Sequence, residues 1–137
     1  MTIENPTRTE IGEILKNSKT IAVVGLSDNP ERTSYMVSKV MQDAGYRIIP
    51  VNPRADYILG EKAVKSLTEI KEPVDIVNVF RRSEFLMDVA KEFVQIEADT
   101  FWAQLGLQDE ETYYFLKEKG YTVIMNRCIK VEHAMTR

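Results

Sequence analysis

Short apolar segments rich in β-branched residues alternate with helix-like segments along the chain, and this alternation restricts the fold more than any other feature. The five apolar segments are residues 20–26, 46–53, 74–80, 99–105 and 121–125. Apolar runs of this length, without alternating polar residues, are typical of strands that are covered on both faces. One strand and one helix recur about every 25 residues, and parallel strands require helical connections of this kind.

This pattern predicts one α/β domain over residues 1–137. We expect a Rossmann-like, doubly wound sheet of about five parallel strands in the order 3-2-1-4-5, with helices on both faces. Asn5 and Pro6 are a favourable start for an N-terminal helix within residues 1–18, which we expect to pack on the domain. Residues 54–73 are less regular than the other connections and predict turns with only one helical turn.

The loops that follow the strands are where a ligand is expected. In an open parallel sheet the ligand lies beyond the carboxyl ends of the strands, where the strand order reverses, here between the first and fourth strands. Five of the eight arginines fall within a few residues after a predicted strand: Arg32, Arg54, Arg81, Arg82 and Arg127. Because the guanidinium fork suits phosphate oxygens, this placement predicts an anion site, although arginine is also common in polar loops generally.

The first of these loops can hold a phosphate group. Gly25 permits a tight turn, and hydroxyls follow at Ser27, Thr33 and Ser34. The free amides at the start of the next helix supply further donors. The loop lacks the three glycines of the dinucleotide fingerprint, because Pro30 stands in the place of the third, and a lone glycine here is weak support.

The end of the second strand favours a particular nucleotide. NAD-binding units usually place an acidic residue there to hold the ribose hydroxyls. This strand ends instead in Asn52, Pro53 and Arg54. The sequence therefore disfavours NAD and favours a ribose that carries a phosphate, as in NADP or coenzyme A.

Composition excludes several other classes of function. Eighteen basic against 21 acidic residues give a net charge of −3, which does not favour a nucleic-acid partner. One cysteine, Cys128, and one histidine, His133, are too few for a structural zinc site. No apolar run approaches the roughly 20 residues that span a membrane. Residues 1–20 do not have the apolar core of a signal peptide, so we expect a cytoplasmic protein with no membrane partner.

Several motifs, in order, resemble the small stand-alone CoA-binding proteins and the CoA-binding N-terminal domain of the succinyl-CoA synthetase α subunit. They are VVGLSDNPERTSYMV, GYRIIPVNP, VDIVNVFRRSE, FWAQLG and NRCIKVEH, and the resemblance runs from about residue 15 to residue 137. It implies a Rossmann-like domain that binds coenzyme A or an acyl-CoA along the strand ends. The chain has no counterpart of the second α-subunit domain with its phosphoryl-carrying histidine, and His133 does not match that residue, so the synthetase reaction is not implied.

The resemblance also implies positions for the cofactor. Four groups of residues would contact it: Gly25, Ser27, Arg32 and Ser34 at the phosphates and ribose; Asn52, Pro53 and Arg54 at the adenosine phosphate; Val79, Phe80 and Arg81 at the adenine; and Trp102, Gln104 and Gly106 along the pantetheine. Burial in the core is the alternative role for Trp102.

No catalytic constellation is visible in the sequence. Glu132 and His133 are either an acid–base pair or a cover for a sheet edge, and Cys128 is either a buried structural residue or a thiol that forms a mixed disulfide with coenzyme A. We therefore expect a CoA-binding carrier or regulatory module without turnover. The alternatives are an NAD(H)-responsive redox-sensing regulator and an acyl-CoA enzyme subunit that needs a protein partner.

Overall fold

A computed structural model describes residues 2–137 as strands and helices in alternation. The strands are β1 (Thr20–Val24), β2 (Arg47–Val51), β3 (Tyr57–Ile58), β4 (Glu61–Lys62), β5 (Val74–Val79), β6 (Ala98–Ala103) and β7 (Thr122–Ile124). The α-helices are α1 (Arg8–Asn17), α2 (Thr33–Asp43), α3 (Leu86–Phe93), α4 (Glu110–Glu118) and α5 (Ile129–Thr136). Short 3-10 turns cover Leu67–Glu69 and Ser83–Phe85.

The central sheet confirms the predicted fold class. Five strands lie in the order β2-β1-β5-β6-β7, and every neighbouring pair is parallel. Both faces carry a buried apolar core, one with side chains of α3 and α4 and the other with side chains of α1, α2 and α5. Because both faces are covered, the strands have no polar face, which is why they read as unbroken apolar runs.

The predicted strand order 3-2-1-4-5 is wrong, because the third long strand, β5, pairs with β1 and not with β2. Counted along the sheet, the order is 2-1-3-4-5. The cause lies in residues 54–73, which form the β3–β4 hairpin and then a parallel bridge between Val64 and Val51. This bridge occupies the outer edge of β2, where a third strand would have paired. The order therefore reverses between β1 and β5, and not between the first and fourth strands.

Helix α1 begins later than the sequence predicted. Thr7 is the N-cap, and its hydroxyl accepts a hydrogen bond from the Glu10 amide at 3.2 Å while Glu10 Oε1 accepts one from the Thr7 amide at 2.8 Å. Asn5 forms hydrogen bonds instead with both backbone groups of Met125, each at 2.8 Å, and these bonds connect the N-terminal segment to the end of β7.

Within residues 2–137, no helix combines the length and the apolar character that a membrane crossing demands.

An ion pair fastens α1 to α5. The Glu132 side chain is only 4% exposed and accepts two hydrogen bonds from Arg8, from Nε at 3.2 Å and from Nη2 at 3.0 Å. These hydrogen bonds, and then the carboxylate charge, raise the pKa of Arg8.

We expect Arg8→Ala to lower Tm by several degrees, because it leaves a buried carboxylate without its donors. Thermal unfolding followed by circular dichroism measures this change. Lys39→Ala is the matched control, since the Lys39–Asp43 pair is exposed on both sides and should shift Tm by about 1 °C or less. Equal shifts for the two variants would show that the buried pair stabilises the protein no more than an exposed pair does.

Candidate functional site

The carboxyl end of β1 lies between the ends of β2 and β5, at the point where the strand order reverses. Gly25 donates its amide to the Val51 carbonyl at 3.1 Å, and the Phe80 amide donates to the Val24 carbonyl at 2.8 Å. Gly25 has a φ of +84°, and a Cβ atom built on it would lie 2.5 Å from the Phe80 carbonyl oxygen. Only glycine satisfies both conditions, so this residue shapes the floor of the site.

The first loop is organised by its own hydroxyls. The Ser27 amide donates to Ser34 Oγ at 3.0 Å, and the Asn29 amide donates to Ser27 Oγ at 3.0 Å. Each hydroxyl still has its own hydrogen to donate to a ligand. Arg32 is the N-cap of α2 through its backbone, with no hydrogen bond from a capping side chain. The first amides of α2 have no acceptor within the helix and lie beside the loop.

Asn52 joins the second loop to the first. Its Nδ2 donates to the Leu26 carbonyl at 2.9 Å, while its Oδ1 accepts from the amides of Arg54 at 2.7 Å and Ala55 at 3.2 Å. Both polar atoms of the side chain therefore already have hydrogen-bond partners, and they hold the two loops together. The neighbouring Pro53 and Arg54 are exposed and remain free to meet a ligand.

We expect Asn52→Ala to lower the free energy of unfolding by about 1–3 kcal/mol, because the Leu26 carbonyl and two loop amides lose their partner. Urea denaturation measures this loss. Asn52→Asp keeps the acceptor oxygen but turns a carboxylate toward the Leu26 carbonyl, so it should also be less stable than the parent. Parent-like stability in both variants would contradict the assigned role.

The third loop presents a stacked arginine. Val79 is fully buried, Phe80 is half-buried and Arg81 is exposed, with its guanidinium carbon 4.7 Å from the centre of the Phe85 ring. Phe85 is 36% exposed and lies in the 3-10 turn immediately before α3, and no sequence prediction placed it at this site. No α-helix spans Arg81 and Phe85, so no local spacing rule predicts this contact from the sequence.

Three side-chain hydrogen bonds join the loops after β6 and β7, in addition to one between the Asn126 amide and the Leu107 carbonyl at 3.0 Å. The Trp102 indole donates to the Arg127 carbonyl at 2.9 Å, Gln104 Oε1 accepts from the Ile129 amide at 2.9 Å, and the Gly106 amide donates to Asn126 Oδ1 at 2.7 Å. Trp102 is 0% exposed and Gln104 is 4% exposed, so both side chains support the loops from beneath. Of the three residues predicted along the pantetheine, Gly106 alone lies on the surface.

The arginines at the strand ends form no ion pairs in the described part of the chain. Within residues 2–137 the ion pairs are Arg8–Glu132, Lys39–Asp43, Arg47–Glu72 and Lys65–Asp56. None of the five arginines that follow strands takes part in them, and all five are exposed: Arg32, Arg54, Arg81, Arg82 and Arg127. An edge with glycine, free helix amides and unpaired guanidinium groups is suited to phosphate oxygens.

Groups able to act as acids, bases or metal ligands do not converge here. Glu132 is bonded to Arg8, while His133 makes an edge-to-face contact with Tyr46, with their ring centres 5.7 Å apart. Cys128 is a free, half-buried thiol at the start of α5. The part of the chain that the structure describes holds no cluster of three His, Cys, Asp or Glu side chains that could bind a metal ion.

A groove of about 630 Å³ lies between α1 and α5, and its lining includes Leu15, Tyr46 and His133. These residues lie near the amino ends of the strands, since Tyr46 immediately precedes β2 and His133 lies in the second half of α5. The groove is therefore at the opposite edge from the loops that carry the arginines. We place the candidate site at the carboxyl edge, where glycine, amides and cations meet.

Comparison with known proteins adds to this geometry. Residues 19–134 match the family model described as "CoA binding domain". The chain is 66% identical over 135 residues to "Uncharacterized protein YneT" of Bacillus subtilis, covering 98% of this chain and 100% of that protein. It superposes on the structure of cell-free ID.343 from Thermus thermophilus with a TM-score of 0.92 and 39% identity, covering 96% of this chain and 100% of that one.

A partial match extends to a much larger enzyme. Over 71 residues the chain is 35% identical to the "Acetate--CoA ligase [ADP-forming] II subunit alpha" of Pyrococcus furiosus. That stretch is 51% of this chain and 16% of the ligase subunit. The likeness therefore concerns one region of the ligase subunit and not its whole length.

Proposed function

Because the chain belongs to the CoA binding domain family, we propose that it binds coenzyme A or an acyl-CoA at the carboxyl edge of its sheet. It does so as a carrier or regulatory module without turnover of its own. The observation that carries this proposal is that Gly25, the first amides of α2 and three exposed, unpaired arginines follow β1, β2 and β5, the strands on either side of the point where the strand order reverses. These arginines are Arg32, Arg54 and Arg81.

The cofactor's two phosphate-bearing parts correspond to two parts of this edge. The pyrophosphate of a bound nucleotide passes the first strand–helix turn in doubly wound folds, which here is the loop after Gly25. The 3′-phosphate on the adenosine ribose belongs near the end of β2, where Arg54 is exposed beside Asn52. An acidic residue at this position would hold the two free ribose hydroxyls of NAD, and its absence favours the phosphorylated ribose.

The absence of turnover rests on the residues that line this edge. Glu132 is committed to Arg8, and His133 lies in the groove between α1 and α5. The first loop also carries two exposed carboxylates, Asp28 and Glu31. Within residues 2–137 neither of them accepts a hydrogen bond from a serine hydroxyl that it could activate as a base. A module of this kind either transfers coenzyme A to another protein or changes its interaction with that protein when coenzyme A is bound. The partial likeness to an acetate–CoA ligase subunit supports a link to acyl-CoA metabolism.

Isothermal titration calorimetry tests this proposal with coenzyme A, dephospho-CoA, acetyl-CoA, NAD, NADH and NADP. We expect coenzyme A to bind more tightly than dephospho-CoA, since the latter lacks the 3′-phosphate, and NAD to bind weakest. Incubation with acetyl-CoA should release no thiol. Preference for NADH would identify a redox sensor instead, and steady release of thiol by the pure chain would overturn the non-catalytic role.

A further inference from the structure

Arg81 is the one strand-end arginine, within the described residues, whose guanidinium contacts an aromatic ring. Its guanidinium carbon lies 4.7 Å from the centre of the Phe85 ring, and its Cδ atom lies 3.5 Å from the position of a Cβ on Gly25. Within residues 2–137 the side chains of Arg32 and Arg54 make no hydrogen bond, ion pair or ring contact. The ring contact therefore restricts the rotamers of Arg81 before a ligand arrives, whereas the side chains of Arg32 and Arg54 must lose more rotamer freedom to bind.

Stacking on a ring leaves the donor fork of an arginine available. The contact with Phe85 uses the flat face of the guanidinium, while its N–H groups point outward in the plane of the group. No carboxylate lies within ion-pair distance of Arg81 in the described part of the chain. A prearranged cation with free donors fits two oxygens of a phosphate group.

The position of Arg81 indicates which phosphate it meets. Its stem crosses the Gly25 turn, and this turn is where the pyrophosphate of a nucleotide passes in a doubly wound sheet. We propose, on the basis of the function proposed above, that Arg81 binds the pyrophosphate and that Phe85 is the positioning residue that holds it there. This differs from the adenine-side role that the family resemblance implies for Arg81.

Coenzyme A and dephospho-CoA together distinguish a contact with the pyrophosphate from a contact with the 3′-phosphate. Dephospho-CoA keeps the pyrophosphate but lacks the 3′-phosphate. Arg81→Ala should weaken coenzyme A and dephospho-CoA by the same factor, about 10- to 100-fold, so that the ratio of their dissociation constants stays at the parent value. Phe85→Leu should weaken both by a smaller equal factor, and Phe85→Tyr, which restores an aromatic face, should bind like the parent. In the Arg81→Ala background, Phe85→Leu should have no further effect.

Arg82→Ala is the matched control, because it removes the same exposed charge one residue away from the stacked pair. It should weaken binding only about two- to threefold, through the general field of the edge, which salt screens. If Arg81→Ala instead abolished the preference for coenzyme A over dephospho-CoA, Arg81 would contact the 3′-phosphate and the inference would be wrong.

Failure of this inference is distinct from failure of the proposed function. If the parent protein bound neither nucleotide, the proposed function would fall and this inference with it. If the parent bound both nucleotides, and Arg81→Ala bound them with the same affinity as Arg82→Ala, only the inference would be overturned. Circular dichroism on each variant verifies that the exposed substitutions leave the fold intact.

Discussion

Gly25→Ala is expected to lower the free energy of unfolding by about 3–5 kcal/mol and to abolish binding of coenzyme A. A left-handed φ costs an alanine roughly 1–2 kcal/mol. The larger part comes from the new Cβ, which would lie 2.5 Å from the Phe80 carbonyl oxygen, a backbone atom that cannot move without displacing β5. Since the first loop begins at this residue, the strain falls directly on the proposed phosphate site. Urea denaturation and calorimetry measure the two effects.

Gly60→Ala is the matched control for this variant. Gly60 also has a positive φ, +76°, but a Cβ there would meet nothing within 4 Å. It should therefore cost only the conformational part, about 1–2 kcal/mol, and leave the affinity for coenzyme A unchanged. Equal losses of stability for the two variants would mean that the close approach to Phe80 is not a constraint.

Trp102→Ala is expected to cost about 3–5 kcal/mol, because Trp102 is completely buried on the face that α1, α2 and α5 cover. The substitution also removes the indole N–H that the Arg127 carbonyl accepts at 2.9 Å. Urea denaturation followed by circular dichroism gives the loss.

Trp102→Phe separates the two roles of this side chain. It keeps most of the buried ring but leaves the Arg127 carbonyl without its donor, so we expect a smaller loss, about 1–3 kcal/mol. Since the indole has no exposed surface, the affinity of the folded variant for coenzyme A should fall by only about threefold or less. If the free energy of binding fell by far more than the free energy of unfolding, Trp102 would contact the ligand. This result would contradict its assignment to the core.

The fold class could be predicted because strands with both faces covered have a local signature. Burial on two sides removes the polar alternation, and this leaves apolar runs that a reader of the sequence can find. The strand order could not be predicted in the same way. It depends on the β3–β4 hairpin and the Val51–Val64 bridge, in which the strands are two residues long and have no recognisable period.

The start of α1 was predictable from the sequence, but the prediction at Asn5 and Pro6 was wrong. Thr7 and Glu10 have the spacing of a capping box, and the structure shows both of its hydrogen bonds. Asn5 and Pro6 are a competing signal, because asparagine followed by proline is also a favourable helix start. Asn5 serves a tertiary role instead, at Met125, 120 residues away along the chain, and no local pattern reports such a contact.

The location of the candidate site could be predicted from the sequence. Which of its residues face a ligand and which support the loops could not. Parallel strands bring their carboxyl ends to one edge, so the loops that follow them could be grouped from the sequence. Whether a side chain in these loops faces a ligand or supports the loop depends on tertiary partners. Asn52 bonds to Leu26 and Gln104 bonds to Ile129, which are 26 and 25 residues apart along the chain.

The most direct test of coenzyme A binding at the carboxyl edge is a ¹H–¹⁵N NMR titration of the intact chain with coenzyme A. We expect the largest shifts at the amides of Gly25, Ser27 and Ser34, at Arg54 and at Arg81, with little change near Leu15, Tyr46 and His133. Shifts centred on the groove between α1 and α5, with the strand-end loops unmoved, would contradict the account.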